Sequence, residues 1–160
     1  MGEQTIVKEL PELKLVGFRV LCSGEQYIEE IPKASILLKK RQEEIKHIAT
    51  PSIQVGAFVP GDCQADQDGY WVCMEVREFE SVPEDMVTLV IPSQKYAVIS
   101  YKGPNTGILD AYEVLHNRIS KSGYKRLLDK WHLEKFHLTG SRRTIEEIKE
   151  VDAELLDTVE

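Results

Sequence analysis

The chain has 160 residues, of which 42% are hydrophobic, 29% charged and 8% aromatic, the composition of one globular domain of ordinary size. No apolar run approaches the ~18 to 20 residues of a membrane-spanning helix. Twenty basic residues against 27 acidic ones leave a net charge of −7, so no basic face exists to neutralise phosphates. A transmembrane or disordered chain is excluded, and nucleic acid is not expected as a direct partner.

In chain order, apolar positions thicken from Ile6 through Leu13, Leu15, Val16, Phe18 and Val20 to Leu21, and Pro11 bars a continuous central strand before them. This predicts a strand over about residues 12 to 22. Pro32 is placed to start a helix in which Ala34, Leu37, Leu38, Ile45 and Ile48 recur at helical spacing. Lys39, Lys40 and Arg41 then belong to its solvated face. After Thr50-Pro51-Ser52, the alternation of Ile53, Val55, Ala57 and Val59 predicts a strand, and a polar loop leads to a return strand from Tyr70 to Phe79. The two faces of that return strand differ. Tyr70, Val72, Met74 and Val76 point one way, while Trp71, Cys73, Glu75, Arg77 and Phe79 point the other. The second face mixes aromatics with a carboxylate, as a ligand face would.

Val87 to Ile91 and Lys95 to Tyr101 predict two more strands. A second helix follows, capped by Asn105 or Thr106, with Ile108, Ala111, Tyr112, Leu115 and Ile119 on one face and Gly123 as its stop. From Trp131 to Leu138 the period returns to two, with His132, Glu134 and Phe136 on one face. Thr144 with Glu147 fits a capping box, and Val151 to Val159 reads as an edge strand, with helix as the alternative. The order of elements is a βαββ unit written twice: an α+β fold in which helices cover one face of an antiparallel sheet and the other face is left for a ligand cleft. A single domain over residues 1–160 is expected.

The N-terminal Met1-Gly2-Glu3-Gln4-Thr5 has neither the basic nor the apolar region of a signal peptide, and Cys22, Cys63 and Cys73 have no CxxC spacing. A cytoplasmic protein with reduced thiols is expected. No HxH, HExxH, GxSxG, phosphate-loop or dinucleotide pattern occurs, so neither a metal nor a cofactor is expected.

Phe79-Glu80-Ser81-Val82-Pro83-Glu84-Asp85-Met86, Ile91-Pro92 with Tyr96-Ala97-Val98-Ile99, Tyr101-Lys102-Gly103, Ala111-Tyr112, Ser122-Gly123-Tyr124 and Leu133-Glu134-Lys135-Phe136 together resemble the GyrI-like small-molecule-binding family. The same module serves as the effector-binding domain of AraC-type and MerR-type regulators. The resemblance implies a pseudo-twofold pair of βαββ units cupping a hydrophobic pocket, often with a buried glutamate that pairs with lipophilic cations. That glutamate corresponds to Glu134. The tyrosine that usually follows it two residues later is Phe136 here, which keeps the ring and loses the hydroxyl; Tyr101 on a neighbouring strand is a candidate to replace it.

The candidate ligand-binding set is therefore Glu134, Phe136, His132, Trp71, Cys73, Glu75, Tyr101 and Tyr112. A carboxylate among aromatic rings disfavours its own ionisation unless a cation arrives, and the rings add cation–π attraction. The partner expected is a hydrophobic, cationic or aromatic small molecule. Two alternatives stay open. The family includes hydrolases that open cyclopropane rings of DNA-alkylating natural products, for which Glu134, Tyr101 and Glu75 would be the catalytic candidates. It also includes inhibitors of DNA gyrase, which implies a protein partner.

Overall fold

A computed structural model describes residues 6–61, 63–138 and 149–160 of the chain. The Thr144–Glu147 capping box lies outside the described residues. The strands are β1 (Ile6–Leu10), β2 (Leu13–Val20), β3 (Ile53–Phe58), β4 (Tyr70–Val76), β5 (Val87–Ile91), β6 (Gln94–Pro104), β7 (His132–His137) and β8 (Glu150–Thr158); the helices are α1 (Tyr27–Lys40) and α2 (Ile108–Lys121). The eight strands form one antiparallel sheet in the order β1-β6-β8-β7-β3-β4-β2-β5.

That order has a twofold logic. A shift of 81 residues carries Ile6–Leu10 onto Val87–Ile91 and Tyr27–Lys40 onto Ile108–Lys121. The expected βαββ units are β2-α1-β3-β4 and β6-α2-β7-β8, each preceded by one further strand, and the two copies meet at the β3–β7 pair, where Gly56 lies opposite Glu134. The first strand of each copy is exchanged: β1 pairs with β6 of the second copy, and β5 pairs with β2 of the first. Pro11-Glu12 joins β1 to β2 and Pro92-Ser93 joins β5 to β6, so each two-residue connection links opposite ends of the sheet. The sheet must curl for this to close. Ser93 Oγ donates to Leu10 O across the seam at 3.0 Å, and Leu10 of β1 shares an apolar cluster with Leu89 and Ile91 of β5.

The inside of the curl is a core of Leu13, Leu15, Trp71, Cys73, Tyr96, Leu133 and Leu156. Both helices pack on the outer face. Leu38 of α1 meets Val16, Val72 and Met74, while Ala111, Leu115 and Ile119 of α2 meet Ala97 and Leu155. Each of the larger of these side chains, once buried, contributes about 1.5–3 kcal/mol.

Four expectations are corrected. Helix α1 starts five residues ahead of Pro32, which lies inside it, because a 3-10 turn at Gly24–Gln26, with Gln26 Oε1 accepting from the Ser23 N–H, already sets the helical direction. Ile45 and Ile48 lie beyond its end: Ile45 is extended and Ile48 bridges to Val76. Neither Asn105 nor Thr106 caps α2; both belong to a 3-10 turn that leads into it. Strand β8 is interior because it pairs with β6 on one side and β7 on the other, and both its faces are buried, Leu155 against α2 and Leu156 in the inner core. The stop at Gly123 is as expected, with φ +81° and the Tyr124 N–H returning to Ile119 O.

Candidate functional site

Between α1 and α2, the outer face of the sheet opens into a cavity of about 150 Å³. Ile31 and Pro32 of α1, Ile108 of α2, and Val72, Tyr70 and Phe136 of the sheet give it apolar walls. Its polar floor is self-satisfied: Ser35 Oγ donates to Gln54 Oε1 at 2.5 Å, and Gln54 Nε2 donates to Ser35 O at 2.9 Å. The cleft thus lies on the helix-bearing face and not on the opposite one. The inner face is already filled by the curl of the sheet, whereas two helices on a twofold diverge and leave a gap between them.

Glu134 stands beside this cavity in mid-β7, on the face it shares with Phe136. Its Oε1 accepts from the Tyr70 hydroxyl and its Oε2 from the Tyr112 hydroxyl, each at 2.5 Å. Tyr70 reaches it from β4, two strands away, because the intervening residue is Gly56, and its ring stacks on Phe58 with centroids 5.9 Å apart. Burial pushes the Glu134 carboxyl above the usual glutamate range; the two phenols oppose that, and the charge of Asp157 adds to it. Burial, then the Glu134 carboxylate, pushes the Tyr112 phenol well above its ordinary value, so it remains a donor. The result is a desolvated acid with two neutral donors and, among the described residues, no cation paired with it, an arrangement that favours the arrival of one.

A second polar cluster lies one turn further along α2. Asp157, 1% exposed, has Arg126 Nε at 2.8 Å, His116 Nε2 at 2.8 Å and His132 Nδ1 at 3.2 Å. Burial pushes the Asp157 carboxyl up, but His132, Arg126 and His116 together hold it below the usual range. Burial lowers His116, and Asp157 opposes that. Tyr112 and His116, one helical turn apart, thus fasten α2 to the sheet through Glu134 and Asp157.

The other residues singled out in the sequence are placed as follows. Phe136 and Tyr112 join Glu134. His132 shares their face but is fully buried, its ring between Asp157 and Leu127 O. Tyr101 is on the same face with its hydroxyl donated to Pro104 O at 2.6 Å, so it does not replace the missing phenol. Trp71, Cys73 and Glu75 are on the opposite face, by the alternation of β4. Trp71 packs edge-on against Trp131 with the Arg19 guanidinium 4.8 Å above it, and burial pushes the Cys73 thiol far up. The trio Glu134, Tyr101 and Glu75 is therefore not brought together. Tyr70, Gly56, Asp157, His116 and Arg126 were not singled out. Tyr70 carried a usable signal, since the alternation of its strand already set it apart from Trp71, on the face that Glu134 proves to share.

The model of a family described as Cass2, integron-associated effector binding protein, matches residues 6–155. Transcriptional regulator BrlR of Pseudomonas aeruginosa is 25% identical over 122 residues, 71% of this chain and 40% of that protein. The chain thus spans well under half the length of that relative. Among solved structures, the EcmrR C-terminal domain has a TM-score of 0.66 at 22% identity, covering 98% of this chain and 97% of that one. SAV2435 bound to tetraphenylphosphonium has a TM-score of 0.69 at 14% identity, covering 99% and 94%. An integron cassette protein from the mobile metagenome of Vibrio cholerae has a TM-score of 0.56 at 15% identity, covering 99% and 97%. These structural likenesses establish the fold. Among the described residues no helix is long and apolar enough to cross a membrane.

Proposed function

The chain belongs to the family of integron-associated effector-binding proteins, and from that premise we propose that it binds a hydrophobic, cationic or aromatic small molecule in the cavity between α1 and α2, with Glu134 as counter-charge. One observation carries the reading: a part-buried carboxylate held by two phenols, with no cation paired to it among the described residues, stands beside a cavity with apolar walls. The tetraphenylphosphonium bound to SAV2435 supports the choice of a lipophilic aromatic cation as probe. The phenols of Tyr70 and Tyr112, not that of Tyr101, fix the carboxylate.

The test is a fluorescence titration of tetraphenylphosphonium into the wild-type protein and into Glu134→Gln at equal salt. Truncating one partner of a desolvated charge pair costs ~2 to 5 kcal/mol, so the variant is expected to bind at least about 10-fold more weakly. Equal affinity in both would remove Glu134 from the site, and no binding by either would remove the cation. Mass analysis of a cyclopropane-bearing alkylating compound incubated with the protein tests the hydrolase alternative, which requires ring-opened product.

A further inference from the structure

Ile28 is 82% exposed and Leu109 76%, more than any other large apolar side chain among the described residues. The 81-residue shift that relates the two repeats carries one onto the other. Each is the second residue of its helix, and each leads the stripe that faces the gap between the helices. Ile28 is followed at helical spacing by Ile31, Pro32 and Ser35, all three of which line the cavity. Leu109 is followed by Tyr112 and His116, which fasten α2 beside Glu134. Helical spacing therefore puts both side chains on the helix faces toward the gap, one turn ahead of Pro32 on α1 and of Glu113 on α2, and both are in water.

The surroundings of these residues say what would cover them. Glu29 follows Ile28, with Glu30 ion-paired to Lys33 at 3.2 Å, and Asp110 and Glu113 follow Leu109. Acidic flanks repel an anionic membrane surface and suit a cation. Resting on the reading of the cavity as a cation site, we propose that Ile28 and Leu109 form a split apolar rim that receives the protruding tail of the ligand. The ligand class is then an amphiphilic cation, with its charged head toward Glu134 and an alkyl or aryl extension laid across both helices.

The experiment compares methyltriphenylphosphonium with decyltriphenylphosphonium, below the aggregation threshold of the latter, on the full chain. The proteins are wild type, Ile28→Ser with Leu109→Ser, and Glu134→Gln. Both rim residues are exposed, so the double variant is expected to keep the wild-type melting temperature. Wild type should bind the long probe at least about 10-fold more tightly than the short one, since each methylene removed from water favours binding severalfold. The double variant should lose most of that gain and bind the short probe as wild type does. An equal gain in wild type and double variant overturns the rim while leaving the cavity reading intact. Loss of short-probe affinity in Glu134→Gln reports separately on that reading. If wild type binds neither probe, both inferences fall.

Discussion

Residue 56 bears no side chain because Tyr70 lies across it: a Cβ there would fall 1.8 Å from the Tyr70 hydroxyl oxygen. The glycine is what lets a phenol from β4 pass over β3 and reach a carboxylate on β7. The substitution Gly56→Ala should force Tyr70 out of its stack with Phe58 and away from Glu134. The expected cost is that of overpacking, about 1–3 kcal/mol, with weakened cation binding. Urea denaturation and the phosphonium titration measure the two effects. Wild-type stability and affinity in the Gly56→Ala variant would show that the ring has another route.

The raised carboxyl of Glu134 gives a pH dependence with a definite sign. Its folded-state pKa lies above the unfolded one, so folding favours the protonated form. That contribution is fully present below the ordinary glutamate range, near 4.5, and is lost as pH rises through the folded value. Glu134→Gln should therefore compare more favourably with wild type at pH 8 than at pH 4 in denaturant titrations. Affinity for a permanent cation should rise over the same window and then level off. Affinity that is flat across it would mean that the ligand does not sense the Glu134 charge.

Removing one phenol should move that window. In Tyr112→Phe the carboxylate loses one of its two donors, which opposed the effect of burial. Its titration should shift to higher pH, and cation affinity at pH 7 should fall about 10-fold, the worth of a hydrogen bond to a charged group. Tyr101→Phe, whose hydroxyl serves Pro104 O, should leave affinity unchanged. Equal losses in the two variants would contradict the geometry.

Asp157 predicts the opposite sign. Despite burial, His132, Arg126 and His116 hold its carboxyl below the usual range. It therefore stabilises the fold above the ordinary aspartate range, and that stability is lost as pH falls through the folded value. Asp157→Asn leaves Arg126 without its carboxylate partner and should cost on the order of 3 kcal/mol at pH 7. The gap to wild type should narrow toward pH 3 in urea titrations; a gap independent of pH would mean that the residue acts by shape alone.

The strand faces and both helices were legible in the sequence, because alternation along Tyr70–Val76 and the 3.6-residue period of Ile108–Ile119 are written in local composition. The position of the cleft was not. Trp71, Cys73 and Glu75 have the chemistry of a ligand face, and only the curl of the sheet, set by the Pro11 and Pro92 connections between its opposite ends, turns that face into core. Glu134 came from the family resemblance and not from its neighbours in the chain. Its real partners, Tyr70 and Tyr112, sit 64 and 22 residues away, and no local pattern encodes such a pairing. Pro32 misled for a similar reason: its preference for a helix start yielded to the turn that Ser23 and Gln26 build upstream.

The repeat that makes the fold also makes its pocket lopsided. Under the 81-residue shift Ile31 falls on Tyr112 and Ser35 on His116, so an apolar group and a hydroxyl on one wall stand where a phenol and an imidazole anchor the other. In the binding mode proposed above, a ligand entering on the twofold would meet two matching backbones bearing unlike chemistry, and only one of its two orientations would put charge against Glu134. Unlike side chains on matched backbones thus give a symmetric cradle two chemically distinct walls.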